Sequence, residues 1–143
     1  MVYLVCGSPC SGKSTYVQEH MRPGDIVCDV DRLYSALCFN EEHDSELYAH
    51  KVASELRKCL CDIIHDRKGN WKNAYVISIA NTREKVEAEK ERINADEVVF
   101  IDTPIEVCIE RAKDRPFYFP WLIEEWYAER NRDEQRNYRE IEN

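Results

Sequence analysis

The residues best able to do chemistry lie near the N-terminus, in a run of nine: Gly7, Ser8, Pro9, Cys10, Ser11, Gly12, Lys13, Ser14 and Thr15. The spacing of the glycines and of the Lys-Ser pair is that of a phosphate-binding P-loop. In such a loop the backbone N–H groups face the β-phosphate, the lysine reaches the β- and γ-phosphates, and the serine hydroxyl binds Mg²⁺. We therefore expect all nine residues to contact ATP and Mg²⁺.

Two aspartates follow the second apolar run, in Cys28-Asp29-Val30-Asp31-Arg32. If the chain is still extended there, both carboxylates point the same way. Asp29 would then support the metal, and Asp31 would take the proton from an acceptor hydroxyl that attacks the γ-phosphate. The alternative is that one aspartate caps a helix beginning near Leu33, which would explain one acid but not two.

Two arginines later in the chain have the spacing of a phosphate-binding lid. Arg111 and Arg115 are four residues apart, so they share one helix face if that segment is helical. Guanidinium groups there would neutralise the charge on a transferred phosphoryl group. The alternative is a solvated basic turn in which these arginines pair with Glu110 and Asp114. We expect a lid at about residues 111–120.

Apolar runs alternate with helical patterns along the rest of the chain. Strands are predicted at 2–6, 26–28, 74–79 and 98–101, and helices at 13–21, 44–67, 82–94, from 104, and at about 120–140. Capping boxes are predicted at Asn81–Glu84 and Thr103–Glu106. The aromatic run at 117–121, with Trp126 and Tyr127, could stack a base, although core packing is the favoured use.

This alternation predicts an α/β fold with a parallel sheet of about four strands covered by helices on both faces. Ligands bind beyond the carboxyl ends of such strands. The rule brings the P-loop, Asp29, Asp31 and Asp102 to one edge, together with Asn81 and Thr82, which with Arg32 are candidate acceptor-binding residues. The third strand ends without the acid that motor and switch ATPases use there.

Composition narrows the class of protein. The chain has 143 residues and a net charge of −8, which argues against tight, non-specific binding of duplex nucleic acid. The length favours one domain, 1–143. No segment approaches the length of a membrane helix, and the chain opens without a signal-peptide pattern, so we expect a cytoplasmic protein. Cys6, Cys28 and Cys108 lie in apolar runs and are expected to be buried.

These motifs together resemble a P-loop kinase of the adenylate-kinase-like group. The nearest likeness is to the 5′-kinase domain of phage polynucleotide kinases and to small phage or prophage kinases. It rests on the P-loop, on Asp31 after the second strand, and on Asp102-Thr-Pro104 followed by Arg111 and Arg115. The resemblance implies a P-loop NTPase fold with strand order 2-3-1-4, and it implies Arg115 as the γ-phosphate arginine.

Two departures from that family concern the acceptor. The family places an arginine three residues after its base, where this chain has Tyr34, and an aspartate at the end of its third strand, where this chain reads Ser78 to Asn81. The resemblance implies a kinase whose acceptor is a single-stranded nucleic-acid end or a nucleoside. The alternatives are a nucleoside monophosphate kinase, a shikimate- or gluconate-like metabolite kinase, and a non-catalytic ATP-binding switch. The oligomeric state is left open.

Overall fold

The computed structural model describes the backbone of residues 1–39 and 47–142. The described strands are β1 (Val2–Gly7), β2 (Ile26–Cys28), β3 (Ala74–Ser78) and β4 (Glu97–Ile101). The described helices are α1 (Lys13–His20), α2 (Val30–Leu37), α3 (Leu47–His65), α4 (Arg83–Ile93), α5 (Ile105–Arg111) and α6 (Phe119–Glu142), with a 3-10 helix at Ala112–Asp114. The predicted start of the third helix, at 44–46, lies outside the described residues.

The described strands form one parallel sheet in the order β2-β3-β1-β4. Strand β1 is therefore internal, with Val5 opposite Ile77 of β3 on one side and opposite Val99 of β4 on the other. The predicted α/β fold and strand order are confirmed. The side chains of β1 are buried on both faces of the sheet, which explains why its sequence is continuously apolar rather than alternating.

Helices cover the two faces of the sheet. On one face Leu4 and Val76 pack with Ile64 of α3 and Ile93 of α4. On the other face Val5 and Tyr75 pack with Val17 of α1. Helix α5 lies beside the P-loop, and its Cys108 packs with Ile123 of α6. Cys6, Cys28 and Cys108 are fully buried, as the sequence predicts. No described helix is both long enough and apolar enough to cross a bilayer.

The two predicted capping boxes differ from the observed caps. Helix α4 is capped one residue later than expected, by Thr82, whose hydroxyl accepts a hydrogen bond from the Lys85 N–H at 3.2 Å. Helix α5 has Pro104 at the cap position and no side-chain cap. The prediction of a capping box at Thr103 is wrong because the Thr103 hydroxyl is used elsewhere, in a bond to the P-loop.

Candidate active site

The P-loop curls between β1 and α1 through two residues with positive φ. Gly12 has a φ of 99° and Cys10 a φ of 63°, a region where glycine is least strained. A third position is sterically closed, because a Cβ on Gly7 would lie 2.6 Å from the Ser11 Oγ. A side chain at the start of the loop would therefore displace Ser11 or the end of β4.

Lys13 points into the curl of the loop and is 9 % exposed. Its Nζ donates hydrogen bonds to the carbonyl oxygens of Gly7 at 2.8 Å and Ser8 at 2.7 Å. Burial lowers the pKa of Lys13 to about 8, although the nearby carboxylates of Asp29 and Asp31 act in the opposite direction. Burial therefore destabilises the charged form of Lys13 unless an anion binds beside it. A phosphate group would supply that anion.

The loop fits a bound nucleotide and its metal. Ser14 lies in the first turn of α1 with an exposed side chain, so its hydroxyl is accessible to a cation held by phosphates. Thr15 follows it, also exposed. The N-terminus of α1 adds unpaired N–H groups and a positive partial charge. Among the described residues no group of three or more Cys, His, Asp or Glu side chains could hold a metal ion unaided.

The two aspartates are placed differently from each other. Asp29 has extended backbone angles, is 5 % exposed and caps α2 by accepting from the Asp31 N–H at 3.1 Å. Helix α2 begins at Val30, earlier than the predicted start near Leu33, so the chain is not extended through both aspartates, and Asp29 caps the helix as the alternative interpretation has it. Asp31 is half-buried in the first helical turn. Both carboxylates still act electrostatically on Lys13.

The predicted lid arginines adjoin the P-loop. Arg111, at the end of α5, donates from Nη1 to the Cys10 carbonyl oxygen at 3.2 Å. The same nitrogen lies 3.4 Å from where a Cβ on Gly12 would be. Arg115 follows the 3-10 helix with extended backbone angles, so the prediction that the two arginines share one helix face is wrong. Its charge acts on the Cys10 thiol, whose pKa is raised chiefly by burial. Arg111 therefore contacts the phosphate-binding loop, and Arg115 acts on it electrostatically.

Thr103 is a site residue that the sequence pattern concealed. Its hydroxyl donates to the Ser11 carbonyl oxygen at 2.7 Å, which ties the end of β4 to the P-loop. The Thr103 carbonyl oxygen in turn accepts a hydrogen bond from the Tyr127 hydroxyl of α6. Asp102, beside it, pairs with Arg130 of α6 at 3.2 Å. The sequence did contain a signal for this role, because Thr103 directly follows a predicted strand that ends beside the P-loop. The capping-box pattern assigned its hydroxyl to a helix cap instead.

Two of the three candidate acceptor-binding residues, Asn81 and Thr82, make hydrogen bonds that hold the fold together. Asn81 is buried, and its Nδ2 donates to the Trp126 carbonyl oxygen at 2.9 Å. Thr82 caps α4. Arg32 is exposed on α2. The Trp126 Nε1 donates to the Ile79 carbonyl oxygen at 2.7 Å, so α6 is fastened across the end of β3.

A pocket of about 630 Å³ opens between the end of β3, α4 and α6, and it reaches the P-loop at Pro9. Asn81 lines it. Its apolar lining comes from distant parts of the chain: Pro9, Ile79, Ala80, Ala88, Leu122 and Trp126. Four charged residues also line it: Lys85, Glu89, Arg92 and Glu129. A pocket this size accepts a small organic molecule rather than an ion alone.

The aromatic run near the lid divides into buried and exposed members. Phe119 and Tyr127 pack against Cys108 and Ile123, and Trp126 is 6 % exposed, as core packing predicts. Phe117 is 95 % exposed and Trp121 is 60 % exposed. For these two residues the prediction of core packing is wrong: Phe117 lies in the turn before α6 and Trp121 in the first turn of α6, and both are exposed.

Comparisons with known proteins agree with this architecture. A sequence profile described as an AAA domain matches residues 2–119. No curated protein matches the chain. Solved structures share the fold, among them a chain of the Pnkp1/Rnl/Hen1 RNA repair complex, at 14 % identity and a TM-score of 0.69, covering 94 % of this chain and 45 % of that one.

A chain of a second structure, of the Pnkp1/Rnl/Hen1 complex, matches at 14 % identity and a TM-score of 0.56, covering 82 % of this chain and 43 % of that one. The present chain thus spans less than half the length of these two relatives. The profile and the shared fold confirm the predicted likeness to P-loop kinases.

Proposed function

We propose that this chain, which belongs to the AAA domain family, transfers the γ-phosphate of ATP to a hydroxyl group of a nucleic-acid or nucleoside acceptor. One observation carries the proposal. Two carboxylates, Asp29 and Asp31, and two guanidinium groups, Arg111 and Arg115, all act on the loop that holds Lys13. Binding a triphosphate needs only the cations, whereas moving a phosphoryl group to a hydroxyl also needs a base.

On the donor side the residues bind and orient the triphosphate. The Lys13 ammonium exchanges its bonds to the Gly7 and Ser8 carbonyl oxygens for phosphate oxygens, which is favourable because the buried ammonium then gains an anion. Mg²⁺, when bound with the nucleotide, neutralises phosphate charge, and the Ser14 hydroxyl and Asp29 would hold it and its water. Gly12 and the N-terminus of α1 supply backbone N–H groups.

On the acceptor side Asp31 is the proposed general base. Its carboxylate is half-buried and acts electrostatically on Lys13, and we propose that it accepts the hydroxyl proton as the oxygen attacks. Arg115 and Arg111 neutralise charge on the transferred group. Transfer occurs in line, and positioning and charge neutralisation supply most of the acceleration.

The test is transfer of γ-labelled phosphate from ATP·Mg²⁺ to a panel of 5′-hydroxyl oligonucleotides, nucleosides, nucleoside monophosphates, sugars and hydroxy acids. Wild type is compared with Asp31→Asn and with Asp66→Asn, an exposed aspartate after α3 that serves as the matched control. We expect label on a hydroxyl acceptor, a loss of about 10²–10⁴-fold in Asp31→Asn, and no change in Asp66→Asn.

Two results would contradict the proposal. Label that appears only on the phosphate of monophosphates, with Asp31→Asn still active, would make the chain a nucleotide kinase and leave Asp31 a structural role. Tight ATP binding with no label on any acceptor would favour a nucleotide-dependent switch. All three functions, a hydroxyl kinase, a nucleotide kinase and a switch, predict that Lys13→Ala loses ATP binding, because Lys13 lies inside the phosphate-binding loop.

A further inference from the structure

The pocket beside the P-loop has walls whose charges are already balanced within the chain. Lys85 pairs with Glu129 at 2.5 Å, both being pocket residues. Glu89 pairs with Arg57 of α3 at 3.5 Å, and Arg92 pairs with Asp62 at 2.6 Å. Each of the four charged lining residues therefore has an internal partner of opposite sign. A ligand phosphate or carboxylate would have to share its cation with one of these carboxylates, which weakens the gain from binding there.

The polar groups at the floor of the pocket are also engaged. The Ser78 Oγ accepts from the Ala80 N–H at 3.1 Å and donates to Glu89 at 3.4 Å. Asn81 and Trp126 use their side-chain N–H groups to fasten α6 to β3. A sugar or a hydroxy acid, which must replace many hydrogen bonds to water, gains few here. A flat, uncharged group that buries its faces on Ile79, Leu122 and Trp126 gains the most.

We infer that this pocket binds the base of an uncharged nucleoside, and that the acceptor is a free nucleoside rather than the end of a polynucleotide. The inference rests on the proposed function, because it names the molecule that would receive the γ-phosphate in the proposed reaction. The base would lie on the apolar lining, and the sugar would project past Pro9, the point where the pocket meets the P-loop. A polynucleotide brings a phosphate one nucleotide further on, and both cations that line the pocket, Lys85 and Arg92, already face a carboxylate of the chain.

The test uses the fluorescence of Trp126 as a reporter within the pocket. The chain has three tryptophans, so Trp71→Phe with Trp121→Phe leaves Trp126 as the one indole. This background is titrated with adenosine, guanosine, cytidine, uridine and thymidine, with their 3′-phosphates and with 5′-hydroxyl oligonucleotides. We expect saturable quenching by at least one nucleoside, a dissociation constant that the 3′-phosphate changes by less than about threefold, and little dependence on salt.

Occlusion of the pocket supplies the matched variants. Ala88→Phe places a ring at the pocket wall on α4, and Ala36→Phe places the same ring at an exposed position of α2 outside the pocket. We expect Ala88→Phe to weaken nucleoside binding by about tenfold or more, and Ala36→Phe to leave it unchanged. ATP affinity is measured on both variants, and we expect it to be unchanged in both, which also reports that they are folded.

Three outcomes would overturn the inference. The first is binding of oligonucleotides or 3′-phosphates about tenfold tighter than nucleosides, with the salt dependence of a phosphate contact. The second is quenching by ATP in competition with nucleosides, which would place the donor base in the pocket. The third is unaltered nucleoside binding in Ala88→Phe. Because quenching needs no turnover, nucleoside binding without phosphate transfer would refute the proposed function and leave the pocket assignment standing.

Discussion

Nucleotide binding should take up a proton at alkaline pH, because Lys13 is partly neutral in the free protein. Burial lowers the pKa of Lys13 to about 8 from its usual value of 10.5. At pH 8.5 only about a quarter of the side chain is then charged, whereas a bound triphosphate requires the ammonium. Lys13 should therefore take up about three quarters of a proton when ATP binds at pH 8.5, and almost none at pH 6.5.

The assay is isothermal titration calorimetry in two buffers of different ionisation enthalpy. The proton uptake is the slope of the observed heat against that enthalpy, measured at pH 6.5 and pH 8.5. The γ-phosphate itself contributes little at pH 8.5, because its last proton leaves near pH 6. Lys13→Arg is the control, because its guanidinium stays charged at both pH values and binding should take up no proton at pH 8.5. An uptake below about 0.2 proton in wild type, or an equal uptake in Lys13→Arg, would refute this account of the site.

The same lowered pKa has a consequence for stability with a definite sign. Between pH 8 and 10.5 the unfolded chain holds the Lys13 proton and the folded chain does not. Because the unfolded state binds more protons in that window, Lys13 makes the free energy of unfolding rise with pH there. Below pH 8 both states are charged, and the cost of the buried ammonium is fully present. Chemical denaturation of wild type and Lys13→Met across this window measures the difference.

Three further predictions concern named contacts. Gly7→Ala should weaken ATP binding, because its Cβ would lie 2.6 Å from the Ser11 Oγ and 3.2 Å from the Ile101 carbonyl oxygen; wild-type affinity by calorimetry would contradict this reasoning. Arg115→Ala should lower the single-turnover rate by about 10²–10³-fold while the ATP dissociation constant changes little; an unchanged rate would remove it from the transition state. Arg67 donates to the carbonyl oxygens of Ile64, Ile93 and Asn94, at the ends of α3 and α4. Arg67→Ala should therefore lower the free energy of unfolding, measured in urea, by about 1–3 kcal/mol. A loss below about 0.5 kcal/mol would contradict this.

Local patterns predicted the elements of this chain well and their ends less well. The P-loop, β2 at Ile26–Cys28 and the helix after Lys13 follow from short-range signals that tertiary contacts leave unchanged. Caps depend on competing partners. Thr82 rather than Asn81 caps α4, because the Asn81 amide is needed to hold α6. Asp29 caps α2 at once after β2, so the helix starts earlier than the apolar spacing indicated.

The pocket beside the P-loop could not be predicted from sequence. Its walls come from Pro9, the end of β3, α4 and α6, and no pattern relates Ala88 to Leu122 until the helices are packed. The balance of its charges also depends on partners such as Asp62 and Arg57, which lie on a third helix. The exposure of Phe117 and Trp121 likewise depends on how the turn before α6 and the first turn of α6 are oriented, which is a tertiary feature.

The position of β1 inside the sheet sets the order in which a ribosome could assemble this protein. Strand β1 is synthesised first, yet its two neighbours, β3 and β4, are completed only at residues 78 and 101. Until then β1 has unpaired backbone on both edges, and the loop that follows it lacks the Thr103 hydroxyl that holds the Ser11 carbonyl oxygen. Two thirds of the chain must therefore emerge before the phosphate cradle can close. The nascent protein carries this apolar strand unprotected over that interval, which is the stage at which we expect it to need a chaperone most.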